Sequence, residues 1–308
     1  MTLDQLRVFM AVAERQHLTK GAEALNLTPS AATASIQALE GRHGTKLFHR
    51  VGRRLELSES GRAFLPEARA ALAAAAAAEL ALRELGGLER GRLALAASQT
   101  LASYWLPPLL MRFAAAHPGV ALSLSEGNTA AVAAAVLAGD AEIGCIEGEV
   151  DAPGLAVAPL ADDRLVVVAS PRHPLARRRA VTAPALRSSR WVMREPGSGT
   201  RAAFEAAMRA AGVAPGDLDV TLVLPTNEAV CAAVAGSACL TAVSDLVARP
   251  HVEAGGLCRI DHPLPTRRFA LVRHKERFRT KAAVAFEGLL HEAAREMAEQ
   301  RDAPSFDI

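Results

Sequence analysis

Past Gly91 the sequence alternates between two periodicities. Short β-type runs (LALAAS, VALSLSEG, AEIGCIEG, RLVVVAS, RWVMRE, DVTLVL) are separated by stretches with helical spacing. Strands that alternate with helices pair side by side in parallel, and the helices cover both faces of the sheet. This restricts the larger part of the chain to an α/β architecture with ligand sites at the carboxyl ends of its strands. The segments that fall there are small and polar. They are Ser98-Gln99-Thr100, Glu126-Gly127-Asn128-Thr129, Glu147-Gly148, the run from Pro196 to Arg201, and Thr226-Asn227-Glu228. Several open a helix, where unpaired backbone N–H groups and the helix dipole attract negative charge. Together they predict a pocket for a small anion, built from Ser98, Thr100, Asn128, Glu147, Ser198, Gly199, Thr200, Arg201 and Asn227. Any one of the hydroxyl or amide side chains in this set is explained equally well as a helix cap. Their recurrence at successive strand ends favours a site.

The chain has 308 residues, more than one ordinary core accommodates. Its first ninety residues read differently from the rest. Leu3, Leu6, Phe9, Met10 and Ala13 recur at helical spacing and predict a helix over residues 3–15. Thr19 is placed to cap a second helix that stops near Asn26. Thr28 is a good N-cap, and Pro29 at the first helical position starts a third helix, because its missing N–H has no helical partner there. Leu27 and Ala32 occupy the two positions of a hydrophobic staple. On this third helix Ala32, Ile36 and Leu39 share one face. Ser30, Thr33, Ala34 and Gln37 share the other, which is short, polar and free of bulky charge. A tight two-helix turn presenting such a face suits the DNA major groove. A small helical bundle with a polar surface has the same pattern.

The next segment narrows the choice. Between Gly41 and Leu55 lie five basic residues (Arg42, Lys46, Arg50, Arg53, Arg54), two histidines and no acid, although the net charge of the chain is only +2. Leu47–Val51 and Leu55–Leu57 alternate like two strands around Gly52-Arg53, a basic ribbon able to reach phosphates or a minor groove. Ser58 can then cap a long alanine-rich helix from Glu59 to about Glu84, with Pro66 predicting a kink or short break. Leu65, Ala68, Leu72, Ala75, Glu79 and Leu82 follow a 3-4 spacing suited to close pairing of helices.

The run LRVFMAVAERQHLTKGAEALNLTPSAATASIQALEGRHGTKLFHRVGRRLELSESG resembles the DNA-binding domain of LysR-type transcriptional regulators. It fills that frame with Ala22, Leu25, Thr28, Thr33, Ile36, Leu39-Glu40, Gly44, Leu47-Phe48, Arg50, Arg53, Leu57-Ser58 and Gly61. The family often has Gln at Pro29, Pro at Ser30, Ser at Thr33 and a long polar side chain at Ala34 and Ser35. The resemblance therefore implies DNA contacts from Thr28, Pro29, Ser30, Thr33, Ala34, Gln37, Arg50, Arg53 and Arg54. Thr33 and Ala34 would meet thymine methyls and Gln37 an adenine, with much of the recognition left to the wing, the phosphates and DNA shape.

The resemblance extends to the rest of the chain. The stretches ASQTLASYWLPP, GNT, IGCIEG, EPGSGTR and NEAV are similar to the branch that includes sulfur-assimilation and carbon-fixation regulators. It implies a mainly-α winged helix-turn-helix over 1–58 and a linker and dimerisation helix over 59–90. It also implies an α/β, two-lobed effector-binding domain like periplasmic binding proteins over 91–301. Lobe one takes 91–162 and 267–301, and lobe two 163–266. The partners implied are double-stranded DNA, a small-molecule effector between the lobes, a second copy in a homodimer or homotetramer, and RNA polymerase. The branch usually has an aromatic residue where Cys145 stands, at what would be the pocket wall.

Other classes fit poorly. There is no GxSxG, no GxGxxG after a strand, no Walker A and no HExxH, and the nine histidines are scattered. No enzyme activity, metal or cofactor is expected beyond the effector. The four cysteines, Cys145, Cys231, Cys239 and Cys258, have no CxxC spacing and lie in apolar contexts, which points to a reduced, cytoplasmic protein. A redox or ligand-independent regulator with a closed pocket is the alternative. An exported solute-binding protein would share the two-lobed fold but not the N-terminal helices.

Overall fold

The computed structural model of the protein describes residues 1–51, 54–84 and 91–302. They form two compact units, one from Met1 to Leu85 with Ala138–Asp140, and one from the remainder. In the first, α1 (Leu3–Arg15) opens with a capping box. The Thr2 hydroxyl accepts the Gln5 N–H at 3.2 Å, and the Gln5 side chain accepts the Thr2 N–H at 2.9 Å. The second helix, α2 (Leu18–Glu23), starts earlier than the sequence suggests. His17, not Thr19, is its N-cap, with Nδ1 accepting the Lys20 N–H at 3.4 Å. α3 (Pro29–His43) begins as expected at Thr28, whose hydroxyl accepts the Ala31 N–H at 3.2 Å. Leu27 remains 38% exposed, so the expected staple contributes little burial.

Strands β1 (Phe48–Val51) and β2 (Arg54–Leu57) pair antiparallel, Phe48 opposite Leu57 and Val51 opposite Arg54. The chain continues into α4 (Glu59–Glu84). The core of this unit gathers Leu6, Phe9, Val12, Ala22, Ala32, Ile36, Leu39, Leu47 and Phe48. Phe9 is fully buried, with its ring centroid 5.4 Å from Phe48 and 5.2 Å from Phe64, and burial of such a ring stabilises by about 1.5–3 kcal/mol. Pro66 lies inside α4 and does not break it. Phe64 and Leu65 before the proline, and Ala68 and Leu72 after it, pack on the same core, and this burial outweighs the lost hydrogen bond.

The second unit is built on one nine-stranded sheet. In chain order its elements are β3 (Gly91–Ser98), a π-helical turn Leu101–Trp105, α5 (Leu106–Ala116), β4 (Val120–Gly127), α6 (Thr129–Ala138), β5 (Ile143–Glu147) and β6 (Leu155–Ala169). Then follow α7 (Ala183–Arg187), β7 (Arg190–Arg194), α8 (Gly199–Ala210), β8 (Asp219–Leu224), α9 (Asn227–Ala235), β9 (Cys239–Ser244), α10 (Asp245–Glu253), β10 (Cys258–Arg259), β11 (Thr266–His274) and α11 (Lys281–Asp302). The strand order is β4-β3-β5-β11-β6-β9-β7-β8, with β10 against β6. The expected parallel pairing holds for β4/β3, β3/β5, β9/β7 and β7/β8. It fails in the middle, where the long strands β6 and β11 run antiparallel to each other and to their neighbours. These two strands carry the chain from one lobe to the other and back, so they have opposite directions.

Each lobe buries apolar side chains on both faces of its half of the sheet. Lobe one holds Leu93, Ile143, Phe269 and Phe286 on one face and Val132, Val136, Ile146 and Val272 on the other. Lobe two holds Val167, Trp191, Phe204 and Met208 on one face and Val168, Val230, Val243 and Val247 on the other. Cys145 belongs to the first of these cores, 1% exposed, and not to a pocket wall. Burial pushes its thiol, and that of Cys231, up to about 12.

Candidate functional site

The third helix presents the predicted polar face. Ser30, Ala34 and Gln37 are exposed and Thr33 is half-buried, while Ala32, Ile36 and Leu39 are buried. Thr28 and Ser30 hydroxyls lie 3.1 Å apart, and the Thr33 hydroxyl donates to the Pro29 carbonyl at 2.8 Å. Thr33 thus offers a partner lone pairs and not a donor. Arg50 and Arg54 lie on β1 and β2 near the tip of the ribbon. Arg53 falls outside the described residues.

A residue without an assigned role holds this arrangement. Glu40 on α3 is 6% exposed, and its carboxylate accepts the Leu47 N–H at 2.8 Å, the Phe48 N–H at 3.3 Å and the Lys46 ammonium at 2.7 Å. Burial alone would push its carboxyl up. Lys46 and the two backbone donors outweigh burial and hold it below the usual range. The ribbon is thereby fastened to the helix that precedes it. Ser58 adds a second fastening: its hydroxyl donates to the Lys46 carbonyl at 2.6 Å and accepts the Gly61 N–H at 2.9 Å. A Cβ at Gly61 would meet the Leu47 carbonyl oxygen at 2.1 Å, so only glycine fits there.

In the second unit the strand ends converge on Glu147, at the end of β5 and 3% exposed. Its carboxylate accepts the Thr100 N–H at 3.0 Å, the Thr200 hydroxyl at 2.9 Å and Arg267 Nη1 at 2.6 Å. Asn227 Nδ2 donates to the Thr100 hydroxyl at 3.2 Å, and Arg267 Nη1 also reaches Thr200 at 2.9 Å. Thr100 and Glu147 belong to lobe one, Thr200 and Asn227 to lobe two. Burial pushes the Glu147 carboxyl up, but Arg267 and the hydrogen bonds from Thr100 and Thr200 bring it below the usual range. A Cβ at Gly199 would meet the Glu147 carbonyl at 2.2 Å, so the first turn of α8 can approach β5 only through glycine. Ser98 ends β3 and is 2% exposed.

The remaining predicted residues are elsewhere in the cleft. Asn128 caps α6, accepting the Ala131 N–H at 3.0 Å, and donates to Glu195 at 3.2 Å. Ser198 caps α8 through the Arg201 N–H at 3.4 Å. The Arg201 side chain turns to Glu205 at 2.7 Å and to the Arg194 carbonyl at 3.0 Å. Its charge is compensated there and does not join the group around Glu147.

The cleft also contains charges that motif spacing did not single out. Arg194 chelates Glu195 through Nε at 2.8 Å and Nη2 at 3.1 Å, and donates to Asn227 at 2.6 Å. The Gln99 amide donates to Glu126 at 3.4 Å and Glu228 at 3.2 Å, and Tyr104 donates to Glu228 at 3.1 Å. Arg267 is the central omission. It sits on β11, and its partners Glu147 and Asp163 lie more than a hundred positions earlier, out of reach of local spacing. A groove of about 870 Å³ adjoins this group. It is lined by Glu147, Gly148, Val157, Arg267 and the alanine face of α8. Among the described residues no three His, Cys, Asp or Glu side chains are placed to hold a metal ion, and no helix is long and apolar enough to cross a membrane.

Residues 3–62 match the family model of the lysR-family bacterial regulatory helix-turn-helix protein, and residues 86–295 match the LysR substrate binding domain. The transcriptional regulator YeiE of Escherichia coli K12 is 35% identical over 86% of this chain and 88% of its own length. A RuBisCO operon transcriptional regulator of Acidithiobacillus ferrooxidans is 31% identical over 92% and 93%. Full-length CbnR, solved with its target DNA, shares the fold at a TM-score of 0.70 and 22% identity, covering 95% of this chain and all of that one. The regulatory domain of Synechocystis PCC6803 CcmR, solved in complex with 2-PG, matches at a TM-score of 0.61 and 27% identity over 68% of this chain and 99% of that domain. These relatives are regulators of transcription and not enzymes. The chain belongs to the LysR family and is a DNA-binding transcriptional regulator with an N-terminal helix-turn-helix and a C-terminal effector-binding domain.

Proposed function

We propose that this regulator responds to a small anionic metabolite held between its lobes. The observation that carries the reading is the set of donors around Glu147. A backbone N–H at a helix start, a hydroxyl and a guanidinium already converge on a carboxylate, so the chemistry of the site suits an anion. The groove beside it is of metabolite size. The CcmR domain, solved in complex with 2-PG, is consistent with an anionic ligand. Binding of the effector with different affinity to two lobe arrangements would shift the population between them. In this reading Thr28, Pro29, Ser30, Thr33, Ala34 and Gln37 face the major groove, and Arg50, Arg53 and Arg54 meet phosphates or the minor groove. Functional boundaries fall at residues 58 and 90, and lobe boundaries at 162/163 and 266/267. The protein acts in the cytoplasm as a homodimer or homotetramer, in contact with RNA polymerase.

Glu147 also supports a second reading. Its carboxylate fills the donors an effector would use, so the regulator could work with a closed pocket and no ligand. A redox version is disfavoured, because buried thiols raised to about 12 are poor nucleophiles.

A thermal-shift panel of sulfite, sulfate, thiosulfate, phosphate, acetylserine, phosphosugars and short carboxylates separates the two readings. A selective ligand at a hundred times its Kd stabilises the native protein by about 2.7 kcal/mol. One such stabiliser, lost in Thr100→Ala, is expected. A panel without any stabiliser would favour the closed pocket.

A further inference from the structure

The chain passes between lobe one and lobe two on β6 and β11, which pair antiparallel from Thr266–Arg164 to His274–Leu155, and in that register Arg267 stands opposite Asp163. Arg267 Nε donates to Asp163 at 2.7 Å, while Nη1 reaches Glu147 at 2.6 Å and Thr200 at 2.9 Å. One guanidinium therefore touches both crossing strands, the carboxylate in the pocket, and the first turn of α8 in the other lobe. All three charged side chains are 2–3% exposed. Two carboxylates share one buried cation, so one negative charge is in excess. Arg267 Nη2 has no hydrogen-bond partner among the described residues and is buried, so a donor remains for a third acceptor.

We propose that Arg267 is the positioning residue that links the pocket to the crossing strands, and that an anion arriving at the pocket is accompanied by a proton taken up by the Glu147–Arg267–Asp163 cluster. The proposal rests on the anion reading above. A third negative charge beside a single buried guanidinium is far costlier than protonation of one carboxylate. Asp163 is the group suited to accept the proton. It is faced by Arg267 from β11, by Glu147 from β5 and by Ser244 from β9, whose hydroxyl donates to it at 2.6 Å. Its neighbours in sequence do not add to the cluster. Arg164 lies against Asp245, which also holds Arg249 and Arg259, and Asp162 is exposed. Burial pushes the Asp163 carboxyl up, beyond what Arg267 and Ser244 offset, and Glu147 adds to the rise.

Sulfate is the probe, because it keeps its charge across the neutral range and any proton taken up belongs to the protein. With wild-type protein, sulfate affinity should fall towards tenfold per pH unit as pH rises above the native pKa of Asp163 in the ligand-free protein. In Asp163→Asn the same span should change it by less than about twofold, with affinity at its upper end no weaker than that of wild type at its lower end. A flat wild-type profile, or an unchanged slope in the variant, overturns the proton link. If Asp163→Asn does not fold, Ser244→Ala serves, and it should move the midpoint of the profile to higher pH; an unmoved midpoint counts against the cluster.

A measurement without ligand distinguishes failure of this link from failure of the anion reading. An ionised Asp163 costs stability, so the Tm advantage of Asp163→Asn over wild type should widen as pH rises through the native pKa of that group. A constant gap overturns the cluster. A widening gap with no sulfate binding at any pH supports the proton-sensitive joint and removes the anion.

Discussion

Glu40 and Glu147 are the same residue type, both nearly inaccessible and both accepting backbone N–H groups from a neighbouring segment. Their surroundings differ. The cation beside Glu40 is Lys46, with a side chain 73% exposed, and the remaining donors are backbone groups of adjoining residues in one unit. That carboxylate is a fixed joint: Lys46 and the Leu47 and Phe48 N–H groups that hold it all lie in one unit. Glu147 takes donors from both lobes and shares its cation with a second carboxylate. Its partners can be redistributed. A buried charge in a single environment fixes geometry, whereas one shared between two bodies makes geometry respond to occupancy.

The largest effect should come from taking the shared cation away. Arg267→Met leaves two buried carboxylates unpaired and should cost about 3–5 kcal/mol, read as a lower Tm of the effector unit in calorimetry of the full chain. Adding Asp163→Asn and Glu147→Gln to it should restore much of the loss. Failure of that restoration would mean that Arg267 matters for packing more than for charge. Next comes Glu40→Ala, which strands two backbone N–H groups and should cost about 1–3 kcal/mol while weakening DNA binding through a released wing. If DNA affinity were untouched, the fixed joint would have no functional role.

The pH dependence should differ in sign between Glu40, whose carboxyl is lowered by Lys46 and two backbone donors, and Asp163, whose carboxyl burial pushes up. The Glu40 carboxyl is lowered in the folded protein, so its contribution is present at neutral pH and is lost as pH falls through its native pKa. The Tm gap between wild type and Glu40→Gln should therefore close on acidification, and a gap that opened instead would contradict the assignment. The smallest effect belongs to Lys46→Met. An ion pair this exposed should change stability by about 1 kcal/mol or less, measured by denaturant titration. A larger loss would show that the lysine, and not the backbone donors, anchors Glu40.

Local grammar made part of this structure legible in advance. Thr28 and Pro29 announced α3, because capping and proline chemistry act within a few residues, and the alternation of apolar residues announced the ribbon and most strands. His17 displaced Thr19 as the cap of α2 because an imidazole nitrogen accepts a hydrogen bond as a hydroxyl does, a use that cap preferences underrate. Pro66 was expected to interrupt α4, but side chains on both sides of it are held by a core assembled from distant helices. In the cleft, Thr100, Thr200, Asn227 and Glu147 were recognisable from their strand-end positions. The Arg201 side chain turns away from this group, since its own helix supplies Glu205 one turn later. Arg267 and Asp163 were invisible, since only the crossing of two strands brings them together.

In the anion reading proposed above, a carboxylate held in the pocket would act as a built-in competitor. Its local concentration is fixed by the backbone and does not vary with the cell's metabolism. An incoming metabolite must exceed a threshold before it displaces or joins the resident group, and that threshold can be retuned by changes around Glu147 that never touch the metabolite. Sensitivity and selectivity can then drift apart among relatives: one set of donors decides which anion is recognised, and the strength of the internal rival decides how much of it counts as a signal.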